Sequence, residues 1–119
     1  MLKLLERWGR LEPSRAQIAG NNPKDRFSYM VAFGEYWTRV FWDIDGGNHA
    51  DAYVQAAVQE AIAARSWRWV GGSGYGGANH SVHIYGALPE APWLANGRSD
   101  ESFAKALLEA YLEALQADA

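Results

Sequence analysis

The chain contains no cysteine. Disulfide frameworks, thiolate zinc sites and cysteine nucleophiles are excluded together. Long apolar runs are missing too, and nothing approaches the ~20 residues that cross a bilayer. The opening stretch MLKLLERWGR carries charges inside its apolar run and has no signal-peptide core. These absences point away from the membrane and toward a cytoplasmic location. A basic excess is also lacking. Eleven Lys and Arg stand against 14 Asp and Glu, for a net charge of −3. That balance argues against a general nucleic-acid binder, which needs a basic surface to release counterions. Neither the P-loop signature G-x-x-x-x-G-K-[ST] nor a G-x-S-x-G nucleophile elbow occurs.

What is present suits a folded chain. Apolar residues make up 49% of 119 positions, too many for disorder. The length fits a single domain over 1–119 that buries its core without metals. Charge is uneven along it. Residues 1–42 hold seven Lys and Arg against four Asp and Glu, whereas residues 43–119 hold four against ten.

Hydrophobic spacing supplies the elements. Leu4, Leu5, Trp8 and Leu11 recur at helical intervals over residues 2–11. Residues 12–25 hold two prolines and read as loop. In RFSYMVAF and YWTRVFWDI apolar residues alternate, and Gly34-Glu35 between them suits a type II′ hairpin. A second helix is expected from about Asp51 to near Ser66, with Asp51 or Asn48 as its N-cap. WRWV and HSVHIYG read as strands around the stretch GGSGYGG, and residues 87–98 as a loop. A last helix is expected from Ser99 as N-cap, with Glu101 and Lys105 as an i,i+4 pair. The order is then α-β-β-α-β-β-α. The expected fold class is α+β, with two hairpins joined in one mostly antiparallel four-stranded sheet and three helices packed on it.

The glycine stretch satisfies G-x-G-x-x-G at Gly72–Gly77. A dinucleotide site needs a helix N-terminus directly after the glycines. Here a strand follows, so a hairpin loop is expected and no cofactor. His80 and His83 differ by three and point to opposite faces of a strand, which prevents them from sharing a metal. DIDGGN places Asp43 and Asp45 like the first ligands of a calcium loop, but Val54 stands where the bidentate Glu belongs. No metal site is expected. Ser81, His83 and Asp43 or Asp45 could form a nucleophilic set on paper. The chemistry alternative is therefore a small hydrolase using His80 or His83.

Six tryptophans are many for this length. Trp42 and one of Trp67 or Trp69 are expected in the core, and Trp37 and Trp93 at the surface. Exposed aromatics beside arginines are favoured binding anchors. The candidate partner-binding residues are Trp37, Arg39, Arg68, Tyr75, His83, Tyr85 and Trp93. No catalytic residue is assigned. An aromatic face with Arg26, Arg39 and Arg68 as a basic strip would suit a single-stranded nucleic-acid binder as a further alternative.

The segments DAYVQAAVQEAIAARSWRWV, HSVHIYGA and SDESFAKALLEAYLEAL, covering about residues 51–119, resemble the phage α/β/α-sandwich family. The likeness lies in the order of helix, aromatic strand, strand and Ala/Leu-rich final helix. It implies a small non-enzymatic accessory protein of a phage or mobile element that binds a host or phage protein. An inhibitor of a CRISPR–Cas type defence complex would be one such protein. A homodimer is also expected, since an aromatic sheet face is costly to leave in water.

Overall fold

A computed structural model describes residues 2–18, 28–41, 48–72, 79–87 and 93–118. Its elements are α1 (Leu2–Leu11), β1 (Ala16–Ile18), β2 (Ser28–Phe33), β3 (Tyr36–Phe41), α2 (Asn48–Ala64), β4 (Arg68–Gly72), β5 (His80–Tyr85), β6 (Trp93–Ser99) and α3 (Phe103–Asp118). The α+β class and the three helices match expectation. The single four-stranded sheet does not. The strands form two separate antiparallel sheets, ordered β1-β2-β3 and β4-β5-β6.

Each expected hairpin gains one strand. Ala16–Ile18 pairs with β2, Ala16 facing Val31. Three residues between prolines are too short to show a period, and loop was the natural reading. Trp93–Ser99 pairs with β5 along its length, with an irregularity at Ile84 and Tyr85. Its Asn96-Gly97 resembles a turn. The glycine answers to a different need. A Cβ on Gly97 would lie 2.2 Å from the Ala106 carbonyl oxygen and 2.5 Å from the Ala110 nitrogen. Glycine here lets the α3 backbone approach the strand.

The β2–β3 hairpin has the expected register, with Phe33 opposite Tyr36 and Val31 opposite Thr38. Gly34 has φ +63°, and Glu35 does not share its positive φ. That combination fits type II′ and not type I′. The Gly34 amide donates to both carboxylate oxygens of Glu60 on α2, at 3.0 and 2.8 Å. α2 thus holds the tip of the first sheet.

α2 packs on β2 and β3, α3 on β5 and β6, and the two helices pack on each other. One continuous buried cluster results, running from Leu5 and Trp8 through Val31, Val54 and Val58 to Ile84, Leu107 and Leu112. The start of α3 also differs from expectation. Ser99 ends β6, and its Oγ accepts from the Glu101 and Ser102 amides. Ser102 is the N-cap, its Oγ accepting from the Lys105 amide at 3.1 Å. The Glu101–Lys105 pair forms. α2 ends in a Schellman turn. Trp67 N donates to Ile62 O, Ser66 N to Ala63 O, and Ser66 takes φ +60°.

Candidate functional site

Cross-strand register decides what shares a face. In the second sheet Trp69, Val82, Ile84, Ala95 and Gly97 look toward α3. Trp69 packs on Phe103 at 5.6 Å, and Val82 and Ile84 are fully buried. The alternate positions form the outer face. Arg68 stands opposite Tyr85, Val70 opposite His83, and Gly72 opposite Ser81. Across β5, Ser81 faces Arg98, His83 faces Asn96 and Tyr85 faces Trp93. Directly opposed side chains lie ~4.5–5.5 Å apart at Cβ, so these residues form one surface.

Four of the seven candidate binding residues therefore come together: Arg68, His83, Tyr85 and Trp93. Val70 and Trp93 are each 58% exposed. Both are open where burial would favour the fold. A groove of about 270 Å³ runs along Val70, Gly71, Gly72, Ser81, His83 and Tyr85. The described strand residues of this face present two arginines, a histidine, two aromatic rings, an amide and a valine, with carboxylates only at its β6 border, where Glu109 and Glu113 of α3 approach Trp93 and Asn96.

The other candidates fall elsewhere. Trp37, 42% exposed, and Arg39 belong to β3 in the first sheet. Arg39 and Arg68 stand on different sheets, and the third member of the expected basic strip, Arg26, lies outside the described residues. Trp42 and Tyr75 lie outside them too. Trp67 and Trp69 both pack half-buried against the core. Val70, Asn96 and Arg98 are the members that sequence reasoning missed. Arg98 and Asn96 were hidden by reading 87–98 as loop. Period-2 counting back from Ser99 would have put Arg98 and Asn96 together on the face opposite Ser99, but only the irregularity at Tyr85 and Trp93 brings Trp93 to that face.

The histidines diverge as their spacing requires. His80 sits against Phe103 on the inner side, ring centroids 6.4 Å apart, while His83 lines the outer groove. Ser81 and His83 share that groove, though Ser81 is only 3% exposed. The acids Asp43 and Asp45 proposed to join them lie outside the described residues.

A second polar cluster lies where α1, α2 and α3 meet. Glu12 accepts from Trp8 Nε1 at 3.0 Å, Tyr111 Oη at 2.7 Å and Arg65 Nη2 at 3.0 Å. Arg65 Nε also donates to Tyr111 Oη at 3.2 Å, and its guanidinium lies 5.1 Å from the Trp67 ring. Burial alone would raise the Glu12 carboxyl pKa. Hydrogen bonds from Trp8, Tyr111 and Arg65, with the arginine charge, outweigh that and hold it low. Burial, followed by the Glu12 hydrogen bond, pushes the Tyr111 hydroxyl far up. Each polar partner is satisfied by another. Such a cluster joins helices and leaves no reactive group to spare.

A second cavity, about 280 Å³, lies along the β6 edge between Trp93–Asn96 and Glu109, Glu113 and Ala117 of α3. Glu113 is already paired with Arg7 at 2.9 Å. No helix among the described residues is long and apolar enough to cross a membrane. No family model, no curated protein and no solved structure matches the chain.

Proposed function

We propose that this chain is a non-enzymatic binding module whose docking surface is the outer face of β4-β5-β6. One observation carries the reading. A chain of net charge −3 gathers Arg68 and Arg98 on a sheet face whose described strand residues include no carboxylate, and leaves Val70 and Trp93 open beside them. Apolar anchors flanked by arginine suit a protein partner with an acidic rim. The resemblance to phage α/β/α-sandwich proteins favours a host protein, including a defence complex of CRISPR–Cas type, as that partner.

Charge count decides between protein and nucleic acid. Two arginines neutralise about two phosphates, which for a single strand gives a salt slope of only about −1.4. That electrostatic contribution is small against self-repulsion from an acidic chain. The hydrolase alternative lacks an acid on the strands of this face among the described residues.

Photo-crosslinking tests the surface. A photoreactive side chain at Val70 should give one discrete adduct in host cells, and Arg68→Glu with Arg98→Glu should remove it. The same group at Tyr53, exposed on α2, should give none. An adduct that survives both charge reversals would sink the reading. Oligonucleotide binding with a slope steeper than about −4 would transfer the face to nucleic acid.

A further inference from the structure

Of the two sheets, the first has an edge that its sequence protects with a single charge. β3 is the outer strand of β1-β2-β3, and among the described residues no strand lies beyond it. Edge strands in stable monomers are blunted by proline, charged side chains (lysine above all), bulges or short length. The other edges here follow that rule. β1 has three residues, β4 ends in two glycines, and β6 carries Gly97 and an irregular pairing with β5. β3 has the least of these: its six residues YWTRVF contain one charge, Arg39, and no proline, glycine or lysine, and β2–β3 pairing runs unbroken over all six.

The hairpin also fixes which backbone groups are free. Phe33 and Tyr36 close a two-residue loop, so they form a hydrogen-bonded pair. Alternation then aims the amides and carbonyls of Trp37, Arg39 and Phe41 away from β2, toward the open edge. Beside that edge stand Trp37, 42% exposed, and Tyr36, 76% exposed.

We infer that β3 pairs antiparallel with β3 of a second copy about a two-fold axis at Thr38, making one continuous six-stranded sheet. The register follows from three requirements. Both strands must present outward backbone groups at the same rungs, both must keep their faces, and like charges must not meet. A two-fold axis at Arg39 would put cation against cation. An axis at Trp37 would shorten the overlap to Tyr36–Thr38 and run into the turn. An axis at Thr38 overlaps Tyr36–Val40 and puts the position of Trp37 opposite Arg39 of the second copy, twice. It also sets Glu35, exposed in the turn, one diagonal step from Arg39 of the second copy. An aromatic position then faces a cationic one and an acidic position neighbours a cationic one, a self-complementary register. The pairing is isologous and closes at two chains. It uses the first sheet only, so it stands apart from the docking face on the second, and a dimer would present that face twice.

The test uses the whole chain. Sedimentation equilibrium should show mass rising with concentration from 13.2 kDa toward twice that value. Arg39→Glu should raise the dissociation constant about tenfold, through loss of two ring–cation pairs and the diagonal charge pairs. Arg39→Lys should change it little. Glu35→Arg with Arg39→Glu should recover part of the loss, which a general folding defect would not allow. Because the chain has no cysteine, Thr38→Cys gives a clean register probe. Thr38 pairs with itself across the axis at a non-hydrogen-bonded rung, close enough for a disulfide. Mild oxidation should yield a covalent dimer from Thr38→Cys and little from Val70→Cys. A single mass of 13.2 kDa at every concentration would overturn the inference. So would a double variant that dissociates as readily as Arg39→Glu, or equal cross-linking at positions 38 and 70.

Discussion

The two sheets share a plan of three antiparallel strands, but their helices hold them differently. α3 lies on β6 backbone to backbone, through the gap that Gly97 leaves. α2 holds the first sheet through apolar packing and a carboxylate, Glu60, that reaches the Gly34 amide at the hairpin tip. The first attachment is steric and the second partly polar. Steric attachment fixes a surface firmly, and the second sheet is the one whose outer face collects Arg68, Val70, His83, Tyr85, Asn96 and Arg98. The first sheet instead carries the edge that is open among the described residues. The proposed docking surface and the inferred pairing edge thus fall on differently anchored halves.

Replacing the glycines should separate the two attachments most clearly. Gly97→Ala puts a Cβ against backbone atoms of α3 that cannot rotate away. We expect a loss of about 3 kcal/mol, read as a fall in the denaturant midpoint with unchanged m-value. Gly34→Ala meets nothing within 4 Å and suffers only from its φ of +63°, so about 1–2 kcal/mol is expected. Gly71→Ala falls between them, because its Cβ would strike the Phe103 ring, a side chain able to swing. Equal losses at 97 and 34 would show that backbone proximity to α3 does not distinguish the sheets.

The Glu12 cluster ties the helices of both halves together. Glu12→Ala strands Trp8 Nε1, Tyr111 Oη and part of Arg65, and should cost about 2–3 kcal/mol. Its pH dependence has a definite sign. The folded carboxyl titrates below its ordinary value of 4.5. Its contribution is therefore full above the unfolded value and is lost as pH falls through the folded one. Acid titration followed by circular dichroism should show wild type losing stability below about pH 4.5 more steeply than Glu12→Gln. Parallel curves would remove Glu12 from the acid response.

Much of this was legible in the residues, and the failures have identifiable causes. The helices showed because each has an apolar stripe at helical spacing. The β2–β3 hairpin showed because Gly34-Glu35 separates two alternating runs. β1 is too short to alternate visibly. β6 was lost because Asn96-Gly97 carries turn chemistry locally, while its glycine serves a contact with α3 that is distant in sequence until the helix folds back. Those missing strands changed the sheet count, and with it the site. Arg68, His83, Tyr85 and Trp93 were named for their residue types, yet only pairing with β6 puts Arg98 and Asn96 beside them. Trp37 and Arg39 were grouped with them because nothing local says that the two hairpins belong to different sheets. Glu12 stands in a proline-containing stretch that reads as loop, and its i,i+4 spacing from Trp8 is a local sign of the bond between them.

The polar anchor of the first sheet should matter less than the steric one of the second. Glu60→Ala removes the acceptor for the Gly34 amide, which solvent at the exposed tip can replace. We expect about 1 kcal/mol at most, with faster amide exchange confined to the β2–β3 tip. Exchange that also accelerated in β5 and β6 would mean that the halves do not open separately.

The smallest expected change has the opposite sign, and it sits where the halves join. Ser66 takes φ +60° between α2 and β4 and is the sole non-glycine residue with positive φ among those described. Its amide and that of Trp67 close the α2 terminus on Ala63 and Ile62, so the conformation is imposed by the Schellman turn and not by serine itself. A left-handed conformation costs an ordinary residue roughly 1 kcal/mol or more, whereas glycine adopts it freely but loses more entropy on folding. The two effects oppose each other, and the first exceeds the second by about 0.5 kcal/mol. Ser66→Gly should therefore raise the melting temperature by a few degrees without altering binding at the outer face. A fall in melting temperature would mean that chain entropy dominates at this joint, and that the link between the halves gains more from serine's stiffness than it loses in strain.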